Sequence, residues 1–388
     1  MKLENNVSEL FDYIKKEEFS GWDPYDGLNS IFLKKIGILK FPIFRLLIIQ
    51  SFKKSPFNLR EILKVPKTQN PKGIALCLSA ICNLYKCPNE LLSLMNTSKG
   101  ECLALIDKLS EKLISLSSND YSGSCWGYDF DWQARLLFLF PKGTPNVVCT
   151  AYAVEALVKA YEVLKKQTLL DHLISASQFV LKDLNRTYID GGYIFSYSPL
   201  NGNNTVYNAS LLGSKILAYS YKYTGDDLLK KESIASINPC LKVQNEDGSW
   251  YYGGLKVQKW IDSYHTAYNI DALNTCKNIF SINELDHSIK IGFEFYINSF
   301  FLKNGTPKYY HDKVYPIDIH SPAQLLVLLC NLNFHKKYNI LIENTLSWTN
   351  KNMRSDSGYY YYQKNKFYTS RIPYFRWSQA FMFNALSL

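Results

Sequence analysis

Asn146-Val-Val-Cys-Thr-Ala-Tyr-Ala-Val-Glu-Ala-Leu157 and Asp262-Ser-Tyr-His-Thr-Ala-Tyr-Asn-Ile-Asp-Ala-Leu273 are two copies of one pattern. Five of the twelve positions match without a gap, and Glu155 stands opposite Asp271. The copies lie 116 residues apart, which is two units of 58. A weaker copy, Val206-Tyr-Asn-Ala-Ser-Leu-Leu-Gly, lies between them. Ile319-His-Ser-Pro-Ala-Gln-Leu-Leu follows, and Trp377-Ser-Gln-Ala-Phe-Met-Phe-Asn-Ala-Leu386 is the last. The anchor positions Leu157, Ile216, Leu273, Leu328 and Leu386 are spaced by 59, 57, 55 and 58 residues. A period of this size marks a repeat architecture, in which each unit buries its apolar face against its neighbours.

Each copy follows a turn that carries Gly and an aromatic: Gly123-Ser-Cys-Trp126, Gly191-Gly-Tyr193, Gly248-Ser-Trp250, Gly305-Thr-Pro-Lys-Tyr309 and Gly358-Tyr359. Glycine supplies the left-handed backbone of such a turn, and the aromatic fills the gap between hairpins. Between the copies run stretches with apolar residues at helical spacing, such as Leu170 to Leu184 and Leu285 to Phe301. Each unit is therefore an amphipathic outer helix, a Gly-aromatic loop and an inner helix apolar nearly all round. In the less regular N-terminal part, residues 1–110, Gly21-Trp-Asp-Pro-Tyr-Asp-Gly27 reads as another loop before an inner helix, and Ile74 to Tyr85 as a buried helix. The expected fold is all-α: one (α/α) toroid domain spanning 1–388, of about six hairpins, with clear repeats of about 57 residues over 120–388.

Of the 388 residues, 47% are apolar and 20% charged, as in a well-packed soluble protein. Aromatics reach 15%, with 29 Tyr, an excess that suits a half-wet cleft for sugars. The net charge of +10 favours acidic partners, but with no basic helix or recognised motif nucleic acid is not an expected ligand. The nine Cys show no zinc-type spacing and sit mostly in apolar helical surroundings, which points to a reducing compartment. The segment Met1 to Phe19 is charged and lacks the apolar core of a signal peptide. The longest apolar run, Ile36 to Ile49, is interrupted by Lys40, Pro42 and Arg45 and is too short to span a bilayer. A cytoplasmic protein with no transmembrane segment, associated at most peripherally with a membrane, fits these features.

Two resemblances follow from particular residues. Gln244-Asn-Glu-Asp-Gly-Ser-Trp250 resembles the Gln…Gly-x-Trp turn of triterpene cyclases and related prenyltransferase-type toroids. More extensively, the chain resembles a group of proteins from bacterial exopolysaccharide, capsule and lipopolysaccharide gene clusters. The residues that carry this are Gly21 to Gly27, Trp126-Gly-Tyr-Asp-Phe-Asp-Trp-Gln-Ala-Arg135, Pro141-Lys-Gly-Thr-Pro145, His265-Thr-Ala-Tyr268 and Phe375-Arg-Trp-Ser-Gln-Ala380. This resemblance implies a role in envelope polysaccharide assembly.

In a toroid the loops entering the inner helices converge at one end, where helix N-termini point their positive dipole ends into a shared funnel. Polar residues at the repeat anchors are therefore the site candidates. Asp129 and Asp131, two apart in an extended stretch, would share a face and form an acid–base pair of the kind glycosidases use. His265 and His320 occupy equivalent positions in successive repeats, near the axis, where imidazoles give and take protons. A zinc site built on them would need a third ligand, so no metal is expected. Asp26, Trp126, Tyr128, Arg135, Asn208, Asp262, Asp318, Tyr374 and Arg376 complete the expected substrate-binding set. Asp262 and Asp318 would hold the two rings, and an arginine such as Arg376 would take a carboxylate or phosphate bidentately.

The expected function is a carbohydrate-active enzyme that hydrolyses, eliminates or epimerises an anionic glycan or polysaccharide precursor with Asp and His and without a cofactor. A terpene-cyclase-like or prenyltransferase-like protein is the alternative, although Asp129-Phe-Asp-Trp132 lacks the final Asp of the Asp-x-Asp-Asp motif of class II cyclases. A non-catalytic glycan-binding toroid is the third.

Overall fold

Helices of two kinds alternate along the chain. The computed structural model describes residues 3–134 and 138–388. The first helix, α1 (Leu3–Lys16), leads into an excursion with α2 (Ile31–Lys35), α3 (Pro42–Lys54) and α4 (Leu59–Ile62) before α5 (Pro71–Lys86). Next come α6 (Asn89–Leu94), α7 (Lys99–Ser115) and α8 (Val147–Leu164). The pairs α9 (Gln167–Lys182) with α10 (Tyr207–Thr224), and α11 (Asp227–Lys242) with α12 (Ser263–Phe280), follow. Then come α13 (Asp286–Phe300) with α14 (His320–Asn331), and α15 (Asn339–Met353) with α16 (Phe381–Leu386). A wider helical turn, Phe375–Ala380, leads directly into α16.

Helices α5, α8, α10, α12, α14 and α16 each pack on the next, and α16 packs back on α5, closing an inner ring. The other member of each pair lies outside it, so the fold is the (α/α) toroid of six hairpins that the repeat predicts. Burial explains the division. Every residue of α10 from Tyr207 to Ala218 is buried. In α13 the buried positions are Ser288, Ile289, Gly292, Phe293, Tyr296 and Phe300, one stripe at helical spacing. The inner helices begin where the sequence provides a cap: Asn70, Asn146 and Asp262 accept from the amides of Lys72 and Gly73, of Cys149, and of His265.

Small antiparallel pieces decorate the loops at this end. They are β1 (Trp132–Gln133) with β2 (Leu139–Phe140), β3 (Arg186–Ile189) with β4 (Gly192–Phe195), and the sheet β5 (Ile317–Asp318), β6 (Gln363–Lys364), β7 (Thr369–Ser370). One expectation is corrected. Gly21 to Gly27 does not lead directly into an inner helix, because α2, α3 and α4 intervene before α5.

Within the ring, Lys215 of α10 donates to Glu155 of α8 at 2.7 Å and to Asp271 of α12 at 2.6 Å. Asn331 of α14 donates to the other oxygen of Asp271. Burial alone would raise the Glu155 carboxyl, but Lys215 and Lys159 bring it down to about 2. The two acidic residues matched by the repeat are thus two ends of one ion-paired network.

The repeated turn glycine has a packing cause. A Cβ at Gly123, Gly192, Gly248, Gly305 or Gly358 would lie 2.0, 2.0, 2.2, 2.3 or 2.9 Å from Ser175, Ala235, Ile291, Asn344 or Glu9. Those residues belong to α9, α11, α13, α15 and α1, in each case the next outer helix around the ring. The aromatic of the turn then anchors backwards. Trp126 Nε1 donates to the Leu113 carbonyl of α7, and Trp250 Nε1 to the Cys240 carbonyl of α11.

Gly248→Ala, at φ +89° and against the Ile291 carbonyl, is therefore expected to cost about 2–4 kcal/mol in urea unfolding. Gly225→Ala, at φ +67° with nothing within 4 Å, is expected to cost only about 1 kcal/mol.

Candidate active site

The N-terminal ends of the inner helices bring together a lysine, an arginine, two histidines and several tyrosines. Lys72, in the first turn of α5, is buried, and its Nζ lies 4.1 Å above the Tyr152 ring and 4.7 Å above the Phe381 ring. It reaches the Tyr268 hydroxyl at 3.5 Å. The Tyr268 hydroxyl is also 2.7 Å from His320 Nε2. Burial first, and then the nearby Arg376, hold the Lys72 amine well below the usual lysine range. Burial, Lys72, His265 and Arg376 together hold the His320 imidazole well below its ordinary value. The His320 imidazole is therefore neutral at pH 7. His320 Nδ1 is buried with no hydrogen-bond partner among the described residues.

His265 is the second imidazole. Asp262 caps α12 and also takes the His265 ring at Nδ1, 2.7 Å away. Tyr264 lies between the imidazoles, with its ring 4.4 Å from His265 and stacked 4.5 Å from His320. Half-buried aromatics form a rim around this centre. Tyr25 packs on Trp132 and Trp377, Tyr252 stacks on Trp260 at 4.4 Å, and Tyr309 meets Tyr264. Helix α3 lies against this rim: Lys53 donates to the Tyr25 hydroxyl at 2.7 Å, and Arg45 to Gln133 at 2.7 Å.

Several expected residues play other parts. Asp129 and Asp131 do not share one environment. The chain bends at Asp129 and Phe130, so the alternation of an extended strand is lost. Asp129 is held by Thr68 and Asn70, and burial raises its carboxyl above the usual range. Asp131 accepts the Lys142 amide at 2.7 Å across the β1–β2 hairpin. Arg376 is bound bidentately to Asp23, at 2.6 and 2.9 Å, so its fork is already occupied. Asp26 pairs with Arg60 at 2.7 Å, and its burial pushes the carboxyl up to about 7. Tyr374 is fully buried with the Arg60 guanidinium over its ring. Trp126 is wholly buried in its turn, donating to the Leu113 carbonyl.

Tyr128 lies beneath the Arg376 guanidinium, and its hydroxyl meets that of Tyr197 at 2.7 Å. Asn208 is buried at the start of α10, its Nδ2 without a partner among the described residues. Asp318 orients the segment rather than the ring. It accepts from the His320 amide, the Trp377 indole and Gln363, and burial pushes it up to about 6. Arg135 lies outside the described residues. Among the described residues no group of three His, Cys, Asp or Glu converges, and no helix is long and apolar enough to cross a membrane. The charged groups at the inner ends differ from the apolar lining that the terpene-cyclase alternative requires.

Sequence reasoning missed Lys72, Tyr152 and Tyr268. The two tyrosines had a signal, since they are the Tyr of the Thr-Ala-Tyr shared by the matched copies. Lys72 had none, lying in the irregular third.

Neither a protein-family model nor a curated protein sequence matches the chain. Solved structures do match it in fold. Cellobiose 2-epimerase from Bacillus thermoamylovorans superimposes with a TM-score of 0.59 at 11% identity, over 98% of each chain. Unsaturated glucuronyl hydrolase from Bacillus sp. GL1 gives 0.58 at 10% identity, over 98% of this chain and 94% of that one. A GH76 α-mannanase from Bacteroides thetaiotaomicron gives 0.59 at 11% identity, covering 81% and 84%. At these identities the likeness establishes the shared toroid.

Proposed function

We propose that the protein is a carbohydrate-active enzyme that moves a proton at a sugar carbon next to a carbonyl or carboxylate, by epimerisation or elimination. The observation that carries this is the pair of imidazoles flanking Tyr264, one of them kept neutral and bonded to Tyr268. A neutral imidazole accepts a proton from a C–H acidified by the neighbouring carbonyl, and a second imidazole can return one. The Tyr268 hydroxyl, which burial keeps protonated, and the Lys72 amine beside it would stabilise the developing oxyanion. The aromatic rim would stack against sugar rings. The activities of proteins that share the fold support the class, since they include an epimerase, a glucuronyl hydrolase and a mannanase. A place in envelope polysaccharide assembly rests on the resemblance of the Trp126–Arg135 and Phe375–Ala380 segments.

Hydrolysis by two carboxylates is the second reading, with Asp129 as the buried acid. Reaction in deuterium oxide separates them. Reducing sugars and unsaturated or saturated uronides are offered, and product carbons are examined by NMR. Deuterium at the carbon next to the carbonyl, or a new double bond, supports proton abstraction. Release of reducing ends without carbon-bound deuterium would replace it with hydrolysis.

Under the proposal, His320→Asn is expected to lower kcat on the order of 10²- to 10⁴-fold. The acid limb of kcat/KM is expected below about 6.5, because the His320 imidazole protonates only at a pH under its ordinary value. Lys72→Met is expected to lower activity yet stabilise the fold by about 1–3 kcal/mol in thermal or urea melts at pH 7. The sign follows from linkage. The unfolded chain binds a proton at Lys72 up to about pH 10.4, whereas the folded amine, depressed by burial, releases it at a lower pH. That residue's contribution therefore rises with pH toward 10.4 in the native protein, and the rise should vanish in Lys72→Met.

A further inference from the structure

The excursion between α1 and α5 exposes apolar side chains that a toroid has no reason to expose. Ile31, Phe32, Ile36, Phe41, Ile43, Phe44, Leu47, Phe57 and Ile62 are all solvent-exposed, Phe57 and Ile62 at 76%. Helix α3 is held to the body through Ile49, Phe52, Lys53 and Arg45, which leaves Ile43, Phe44 and Leu47 turned outward. Close by, the Tyr368 hydroxyl donates to the Lys54 carbonyl, and this hairpin tip carries Phe367 at 88% exposure beside Lys366. A contiguous apolar patch of this kind marks a docking surface.

Charge identifies what docks. Residues 31–62, from α2 through α4, contain seven Lys and Arg against one acidic residue, Glu61. Arg60 and Arg45 are engaged internally, with Asp26 and Gln133. Lys34, Lys35, Lys40 and Lys54 stay exposed among the apolar residues. Short helices with apolar side chains outward and lysines around them suit a membrane surface: the apolar groups enter the acyl boundary and the ammonium groups meet anionic headgroups. We propose that this face, α2 to α4 with the Phe367 tip, docks on an anionic lipid bilayer. Because α3 also contacts Tyr25 of the aromatic rim, docking brings that rim close to the lipid. The proposal stands independently of the chemistry assigned to the site.

Co-sedimentation of the full chain with vesicles tests it, using phosphatidylcholine alone and phosphatidylcholine with phosphatidylglycerol. Binding is expected only to the phosphatidylglycerol vesicles, and it should weaken with added salt. Lys34→Gln with Lys35→Gln and Lys40→Gln is expected to weaken binding about tenfold or more. Ile43→Ser with Leu47→Ser should weaken it even at low salt. These positions are exposed, so unchanged melting temperatures would show that the variants fold. Absence of binding to anionic vesicles, or binding that both variants leave intact, would overturn the proposal. So would a dimer in sedimentation equilibrium that Ile43→Ser with Leu47→Ser converts to monomer, since the face would then belong to a second copy.

Discussion

Close approach of each turn to the next outer helix is the constraint on which the rest of the structure depends. With no Cβ at Gly123, Gly192, Gly248, Gly305 or Gly358, one unit seats directly on the backbone or side chain of its neighbour. That contact fixes the separation of successive hairpins. It also fixes where each inner helix begins, since the turn and the helix cap are only a short segment apart. The convergence of Lys72, His265, His320 and Arg376 is thus a result of packing at the periphery, repeated around the ring. The site inherits its geometry from contacts none of its residues make.

Assembling such a site costs stability. An amine, an imidazole and a carboxyl are removed from water at Lys72, His320 and Asp129, and each is driven toward its uncharged form. The charges that persist are paired: Arg376 with Asp23, and Lys215 with two carboxylates. The paired groups build the frame of the ring. Lys72, buried among aromatic rings with no carboxylate partner among the described residues, stands out against the ion pairs around it.

The helices, their order and the end of the ring that carries the polar residues were legible because the anchors recur and because Asn or Asp caps precede apolar runs. The histidines were legible for the same reason, being at equivalent places in successive units. The aspartate pair at 129 and 131 was misread because its alternation assumes an extended chain, and the chain bends there. Arg376 looked like a free anion clamp because its partner, Asp23, lies 353 residues away and belongs to no repeat. Lys72 carried no signal in the sequence. Only the rings of Tyr152 and Phe381, brought from two other inner helices, make its surroundings dry. The four consecutive tyrosines, 359 to 362, alternate half-buried and buried, as core and surface positions of one extended stretch.

Closure has a consequence for how such a chain can change. An open solenoid lengthens by duplicating a unit, because its last repeat offers the same surface as its first. Here Gly358 seats on Glu9 of α1, the backbone amide of Phe375 donates to the Trp22 carbonyl, and the Phe375 ring packs on Gly73. The final unit has already spent its free surface on the first, so a seventh hairpin has nowhere to enter without opening the ring. New sequence is admitted only between helices. The segment from α1 to α5 has this placement: it lies between two helices beside the aromatic rim, where extra chain alters what the ring encloses without altering how it closes.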